Sequence, residues 1–295
     1  MQDFLSIQFN LIKIRIVILT MSEDFSLDSG SIQETMLGPL WARATYSELY
    51  PEILDDQQAI EIIKKLDYDF TNISNYLDEW RSLGLLVRAK SFDEAIKKYI
   101  GNCPYSTVVN IGCGLDTTFS RVDNGAIKWF NLDLPDAIKY RNQFIKETYR
   151  SKNISKSAFD YNWMDDIEFN PDNGIILFAG GFVYYFEEEE IQKLISYIAE
   201  RFPGGEFIFE GISNLAIKII NKRAKKAGSE IRVKFGIGDP IKLFSKWSIK
   251  IEVIDWYTLW AHTPINPIWS KNTHKMLKIS ERFKTSKIIH LKFLG

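Results

Sequence analysis

Residues 107–117 read Thr-Val-Val-Asn-Ile-Gly-Cys-Gly-Leu-Asp-Thr, and residues 127–135 read Ile-Lys-Trp-Phe-Asn-Leu-Asp-Leu-Pro. The apolar run that opens the first stretch predicts a strand buried on both faces, as in a parallel sheet. Gly112 and Gly114 then allow a tight turn with a ligand close to the backbone. The second stretch predicts another strand, which ends in Asp133, about 20 residues after the first glycine. Because a carboxylate at that spacing typically accepts hydrogen bonds from ribose hydroxyls, the two stretches indicate a nucleoside-binding fold.

The residues that follow the turn narrow the kind of ligand. A dinucleotide-binding fingerprint needs a third glycine, so that a helix N-terminus can approach a pyrophosphate, and here Asp116-Thr117-Thr118 stand in that region. An extra carboxylate repels a pyrophosphate but suits a cation. S-adenosylmethionine carries a sulfonium and an ammonium and no phosphate, and it fits such a turn. A nicotinamide-dependent oxidoreductase is the alternative that the missing glycine disfavours.

The same two stretches resemble a known family. They are similar to the S-adenosylmethionine-dependent methyltransferases grouped with leucine carboxyl methyltransferases and tetracenomycin polyketide-type O-methyltransferases. The resemblance runs from about Thr35 to the C-terminus, includes Arg-Phe-Pro-Gly-Gly-Glu at 201–206, and is closer to the polyketide-type branch. It implies an α/β fold of the Rossmann-like class I methyltransferase type. Such a fold has a mostly parallel seven-stranded sheet with helices on both faces, an antiparallel last strand and an N-terminal helical cap.

The resemblance also implies roles for individual residues. An arginine near position 88 binds the methionine carboxylate in the family, and a guanidinium suits that group geometrically. Most relatives place a glutamate where this chain has Gly180, so a probable partner of the ligand ammonium is missing. In the family an acidic residue at position 160 meets the adenine amino group. The predicted cofactor-binding residues are Arg88, Gly112, Cys113, Gly114, Asp133, Asp160, Tyr161 and Gly180.

Three further residues are candidates for contact with the methyl acceptor. Arg43 lies in the predicted helical layer, and Tyr184 and Tyr185 follow the fourth predicted strand. The more ordinary interpretations are a surface arginine and two core aromatic side chains. Three aromatic residues near the C-terminus are likewise either a pocket wall or core: Trp256, Tyr257 and Trp260.

The chain divides into three parts in this interpretation. Residues 1–30 are an N-terminal extension, and because Met21 begins a plausible native start, the first twenty residues are either an upstream extension of the gene model or an added helix or strand. Residues 31–101 form a helical cap, and residues 102–295 form the Rossmann-like core with an insert at about 213–235. Together, residues 31–295 are expected to be a single methyltransferase domain.

Local signals place the elements along these parts. Asp55 and Asp56 predict a helix start, and Ser91-x-x-Glu94 predicts the start of the last helix before the sheet, with Arg88 preceding it. Further strands are expected at 154–159, 174–179, 206–210, 249–254 and 287–293, with a helix at 187–201 whose leading glutamates complement its N-terminus.

Composition excludes several partners. The 37 basic and 38 acidic residues leave a net charge of −1, which gives no electrostatic footprint for nucleic acid. Residues 4–20 make a poor membrane span because polar and charged residues interrupt them. Two cysteines suit a reducing cytoplasm, and three scattered histidines lack the spacing of metal ligands, so neither a metal nor a membrane is predicted.

The function predicted from these observations is in-line methyl transfer from S-adenosylmethionine to oxygen. The expected acceptor is a small molecule with a carboxylate or an acidic hydroxyl; a carboxylate is already ionised at neutral pH, whereas a phenol needs a base and no histidine lies near the motifs. No catalytic residue is predicted. The alternatives are a protein C-terminal carboxyl methyltransferase and a non-catalytic cofactor-binding or interaction module.

Overall fold

The computed structural model describes residues 32–226 and 232–295, which build one seven-stranded sheet in the order β3-β2-β1-β4-β5-β7-β6. The strands from β1 to β5 are parallel, and β7 lies antiparallel between β5 and β6. The seven strands are β1 (Thr107–Ile111), β2 (Lys128–Asp133), β3 (Ser151–Ser155), β4 (Ile175–Ala179), β5 (Glu206–Ile212), β6 (Ile251–Thr258) and β7 (Ser286–Phe293).

Helices cover the sheet and precede it. They are α1 (Ile32–Leu49), α2 (Gln57–Lys65), α3 (Thr71–Tyr76), α4 (Glu79–Asn102), α5 (Thr118–Val122), α6 (Pro135–Phe144), α7 (Glu188–Arg201), α8 (Asn214–Lys226), α9 (Pro240–Trp247) and α10 (Lys271–Phe283). Short 3-10 helices lie at Tyr161–Asp166, Pro171–Asn173 and Val183–Tyr185. The predicted fold class, including helices before the first strand, is confirmed.

The central strands are buried because their sequences are apolar on both faces. Every residue of β1 and of β4 is buried, which is the pattern of a parallel sheet covered by helices on both sides. β1 lies between β2 and β4, so the carboxyl ends of these three strands meet at one edge. In open α/β sheets ligands bind outside that edge, where the strand order reverses.

The helix starts predicted from capping residues are correct in some cases and wrong in one. Asp56 caps α2 by accepting a hydrogen bond from the Ala59 amide, as predicted. Glu187 and Glu190 form a capping box at the start of α7. The capping box predicted at Ser91 is wrong, because α4 runs unbroken from Glu79 to Asn102 and the Ser91 hydroxyl donates to the Val87 carbonyl in its middle.

The unbroken α4 also corrects the position of Arg88, which lies inside that helix and not before it. The predicted strands 154–159 and 249–254 are displaced along the chain: β3 ends at Ser155, and β6 extends to Thr258. Residues 1–31 lie outside the described residues, and so does the prediction that concerns the first twenty. The division of the chain into extension, cap and core stays a prediction.

No helix among the described residues is long and apolar enough to cross a membrane. Within residues 32–226 and 232–295, no group of histidine, cysteine and acidic side chains is arranged to hold a metal ion.

Candidate cofactor-binding site

The turn after β1 has the geometry that its glycines predict. Gly112 and Gly114 have φ angles of 69° and 47°, in the region that side chains with a Cβ rarely adopt. The Asp133 carboxylate at the end of β2 accepts hydrogen bonds from the Gly114 amide at 2.8 Å and from the Leu134 amide at 2.7 Å. The turn and the acid that follows the second strand are therefore one hydrogen-bonded unit.

A buried arginine supports the same turn from beneath. Arg141 on α6 is 2 % exposed, and its guanidinium donates to the carbonyls of Gly114 at 2.9 Å and Asp116 at 2.7 Å. On the other side, a Cβ at Gly114 would lie 3.1 Å from the Met36 side chain of α1. Side chains from α1 and α6 therefore hold the glycine turn in place.

Two adjoining pockets open at the carboxyl edge of the sheet. Their empty volumes, which extend to the solvent at the pocket openings, are about 850 and 410 Å3. They share Gly112, Gly181 and Tyr185. The larger pocket is lined by charged and polar groups together with apolar ones, including Arg43, Arg88, Asn110, Cys113, Asp116 and Gly180. The smaller pocket is a mostly apolar slot with Asp133 in its wall, lined further by Leu132, Leu134, Ser157, Ala158, Phe159, Phe182 and Phe186.

Arg88, in the wall of the larger pocket, forms a buried ion pair with Glu210. Its Nη1 lies 2.9 Å from Oε2 of Glu210, which stands near the carboxyl end of β5. Burial alone would lower the pKa of Arg88, but the Glu210 carboxylate outweighs burial and holds that pKa above its usual range. The guanidinium therefore stays charged although the pocket buries it.

The two glycines after β4 leave room for that guanidinium. A Cβ at Gly181, whose φ is 68°, would lie 3.1 Å from Nη1 of Arg88. At Gly180 a Cβ would lie 2.9 Å from the Phe92 ring, closer than real Cβ atoms approach a neighbour. Phe92 thus occupies the space that a side chain at position 180 would need.

Tyr185 forms part of both pockets. Its hydroxyl is buried and has no hydrogen-bond partner of good geometry among the described residues, and the Tyr184 hydroxyl is its polar neighbour. Tyr184 lies behind it, with its own hydroxyl 3.5 Å from Glu210. Burial raises the pKa of both phenols well above the usual value. Both stay protonated at neutral pH and act as hydrogen-bond donors.

Arg43 lines the larger pocket but is held by other protein groups. Its Nε lies 2.9 Å from Asp56, and its Nη2 donates to the Leu115 carbonyl at 2.8 Å. Asp56 also accepts from Arg121 at 2.7 Å and from the Thr117 hydroxyl at 2.6 Å. These contacts tie the start of α2 to the segment that follows the glycine turn. The prediction that Arg43 binds the acceptor stays untested.

Two of the predicted cofactor-binding residues do not line either pocket. Asp160 caps the 3-10 helix that follows it, and the Tyr161 ring stacks on Tyr197 with centroids 4.1 Å apart. The slot is lined instead by residues 157–159, just before them, so contact of Asp160 or Tyr161 with adenine stays a prediction. Trp260 stacks on Trp80 of α4 at 4.8 Å and belongs to the core, not to a pocket wall.

The sequence did not predict two residues at the site, Glu210 and Phe92. Glu210 had a signal, because it is a charged residue that follows the apolar run Phe207-Ile208-Phe209 near the carboxyl end of a strand. Phe92 had no such signal, because an apolar residue on a helix is normally predicted to belong to the core.

Both pockets suit S-adenosylmethionine. The larger one offers a guanidinium to a carboxylate, and the apolar slot with Asp133 in its wall suits a nucleoside ring and its ribose. A strand-turn-acid unit at the reversal point of a β3-β2-β1-β4-β5-β7-β6 sheet is typical of the class I methyltransferases.

Comparison with known proteins supports the same class of enzyme. The leucine carboxyl methyltransferase family matches residues 36–199, more than half of the chain, and the chain belongs to that family. The tetracenomycin polyketide synthesis O-methyltransferase TcmP of Streptomyces glaucescens is 25% identical over 216 residues, which cover 73% of this chain and 78% of TcmP. The S-adenosyl-L-methionine-dependent methyltransferase dpfgK of Gibberella zeae is 23% identical over 218 residues, covering 66% and 73% of the two chains.

Solved structures show the same fold. A putative methyltransferase from Thermobifida fusca has a TM-score of 0.56 at 10% identity, with 86% of this chain and 94% of that one covered. A DUF574 family protein from Streptomyces avermitilis has a TM-score of 0.54 at 9% identity, with 86% and 97% covered. The protein is an S-adenosylmethionine-dependent methyltransferase, and the predicted family and cofactor are confirmed.

Proposed function

We propose that the protein is an O-methyltransferase for a small molecule that carries a carboxylate. The observation that carries the proposal is the Tyr185 hydroxyl, which is buried, lacks a partner of good geometry among the described residues and belongs to the wall shared by the two pockets. The Tyr184 hydroxyl is its polar neighbour, and we infer that the oxygen of a bound acceptor takes over the hydrogen bond that Tyr185 donates.

The binding residues divide between the two pockets. Arg88 holds the methionine carboxylate in the larger pocket, and Asp133 accepts hydrogen bonds from the ribose in the smaller one. The backbone of the glycine turn, at Gly112, Cys113 and Gly114, lies between these two groups. Gly180 has no side chain to cover the backbone beside Arg88. When bound, S-adenosylmethionine supplies a methyl group on a positively charged sulfur. The residues of this chain orient the acceptor oxygen toward that methyl and exclude water.

The protonation of the site favours a carboxylate acceptor over a hydroxyl. Burial raises the pKa of the Tyr184 and Tyr185 phenols, so both donate hydrogen bonds and neither accepts a proton as a base. No histidine is among the described residues that line the two pockets. A carboxylate arrives already ionised at neutral pH and needs only a donor that orients it. Tyr185 is that donor.

The small size of the acceptor rests on two further observations. TcmP is a polyketide synthesis O-methyltransferase by name, and it matches 73% of this chain. The near balance of 37 basic and 38 acidic residues leaves the chain without the strong net charge that would attract a large, oppositely charged partner. We also propose a cytoplasmic location, because a chain with only two cysteines suits a reducing compartment.

The test is to incubate the enzyme with methyl-labelled cofactor and a cell extract divided by size. We expect label in the small-molecule fraction and its release by mild base, because carboxyl methyl esters hydrolyse readily. Label confined to a protein band would overturn the small acceptor in favour of a protein C-terminus. Label that resists base would replace the carboxylate by a hydroxyl. Tyr185→Phe should lower turnover about tenfold or more while cofactor affinity stays unchanged.

A further inference from the structure

The ion pair between Arg88 and Glu210 joins two distant parts of the chain at the pocket wall. The residues are 122 positions apart, and their side chains are only 13% and 10% exposed. Glu210 also accepts a hydrogen bond from the Ser286 hydroxyl at 3.1 Å, and the Tyr184 hydroxyl lies 3.5 Å from it. The carboxylate is thus held in one orientation by groups from α4, β7 and the segment after β4.

The position of the guanidinium is equally restricted. Arg88 crosses the backbone at the end of β4, where its Nη1 would lie 3.1 Å from a Cβ at Gly181 and its Nε 3.7 Å from one at Gly180. Among the described residues, Glu210 is the hydrogen-bond partner that the structure gives to this guanidinium. Its remaining N–H donors stay available for a ligand that enters the larger pocket.

The charge of the ligand makes this pairing significant. S-adenosylmethionine carries a sulfonium, an ammonium and a carboxylate, whereas the product of methyl transfer has a neutral thioether sulfur. A cation on the protein raises the energy of the sulfonium form and leaves the thioether form almost unaffected. In a buried site, where charges are screened less than in water, that difference persists over several ångströms.

We propose that Glu210 is a positioning residue that orients Arg88 and, by neutralising its charge, sets the preference of the pocket for the sulfonium cofactor over the thioether product. This inference rests on the proposed role of Arg88 in holding the cofactor carboxylate. With the pair intact, the guanidinium binds the ligand carboxylate and its positive charge does not oppose the sulfonium. Product release follows the same logic, because the product lacks the charge that Glu210 favours.

The experiment measures the dissociation constants of S-adenosylmethionine and S-adenosylhomocysteine by calorimetry, on the full chain. Glu210→Gln keeps an oxygen for Arg88 but removes the charge. We expect the cofactor to bind on the order of tenfold more weakly and the product to change much less. Glu206→Gln is the matched control, because Glu206 is on the same strand, is also paired with basic side chains, and lies at the opposite end from the pocket.

A second variant shifts the preference in the opposite direction. Arg88→Met leaves Glu210 without its cation, so both ligands lose the carboxylate contact but the ratio moves toward the sulfonium form. This variant also decides the matter if Glu210→Gln does not fold. An unchanged affinity ratio in the folded variant or variants would overturn the inference while leaving the proposed function intact. A wild-type protein that binds the cofactor but labels no acceptor would count against the proposed function instead.

Discussion

Two clusters of buried charge lie near the glycine turn, and their arginines differ in the number of hydrogen bonds that they donate to protein groups. In the cap cluster, Arg121 donates to Asp56 at 2.7 Å and to both oxygens of Asp93 at 2.6 and 2.9 Å. It also donates to the hydroxyls of Thr117 and Thr118. In the pocket cluster, the structure gives the Arg88 guanidinium one hydrogen bond among the described residues, to Glu210.

The difference separates a structural joint from the proposed binding site. A guanidinium has five N–H donors, and the contacts of Arg121 engage all of them with protein acceptors. Burial alone would raise the pKa of Asp56, but Arg121 and Arg43 outweigh burial and hold that pKa below its usual value. Arg121 is therefore saturated by protein acceptors, and it fastens the start of α2 and the middle of α4 to the segment after the turn. The pocket cluster keeps donors for a ligand.

The largest effect is expected from breaking the cap cluster. Asp56→Ala removes the carboxylate shared by Arg43 and Arg121, together with the cap of α2. Because removing one partner leaves buried charges unpaired, we expect the free energy of unfolding to fall by about 3–5 kcal/mol. Urea denaturation measures this, with Glu61→Gln on the exposed side of the same helix as the control. A loss below about 1 kcal/mol would show that the network is not a joint.

The next effect concerns the acid at the end of β2. Asp133→Ala removes the carboxylate proposed to bind both ribose hydroxyls, and we expect about 1.5–3 kcal/mol of cofactor affinity to be lost, the range for hydrogen bonds to a charged group. Calorimetric titration with S-adenosylmethionine measures it. Asp136→Ala, an exposed acid in the first turn of α6, should bind like the wild type. Unchanged affinity in Asp133→Ala would remove Asp133 from the site.

The third prediction compares the same substitution in each cluster, Arg88→Ala and Arg43→Ala. We expect Arg88→Ala to weaken S-adenosylmethionine by about 1.5 kcal/mol more than a decarboxylated analogue, because only the former presents the carboxylate. Arg43→Ala should weaken both ligands alike and should lower the free energy of unfolding, since its contacts are with Asp56 and Leu115. Equal losses for both ligands in Arg88→Ala would mean that Arg88 acts through packing.

The smallest effect concerns another buried cation, Lys287, whose ammonium is held by backbone carbonyls. The Lys287 ammonium donates to the carbonyls of Ile237 at 3.0 Å and Lys284 at 2.9 Å, and burial lowers the pKa of Lys287 to about 8. Above pH 8 the folded protein has released this proton while the unfolded chain still binds it. Stability therefore rises with pH between about 8 and 10.

Lys287→Met isolates that contribution. From pH 7.5 to pH 9, the wild type should gain about 1 kcal/mol in free energy of unfolding relative to the variant, because other titrating groups cancel in the difference. Denaturation at the two pH values measures the gain. A difference that stays constant, or that shrinks as the pH rises, would contradict the lowered pKa.

The fold was largely predictable because its signals are local. Buried parallel strands have continuous apolar sequences, and Gly112 and Gly114 are required by the positive φ angles of the turn. The helix boundaries were harder. Ser91 has the residue pattern of a capping box, yet α4 continues through it because Phe92 and Ile96 pack against the sheet on the same face as Leu83 and Leu86. Tertiary packing outweighed a cap of about 1 kcal/mol.

By itself, the sequence determined the strand-turn-acid unit, the family and the cofactor, because the residues that carry them lie within about 30 positions of one another. Only the tertiary structure decided which hydrogen-bond partners each buried guanidinium has. Arg43 and Arg88 look alike in sequence, as arginines in a helical layer. Their difference comes from partners 13 and 122 residues away, Asp56 and Glu210, which only the folding of the chain brings within hydrogen-bond distance.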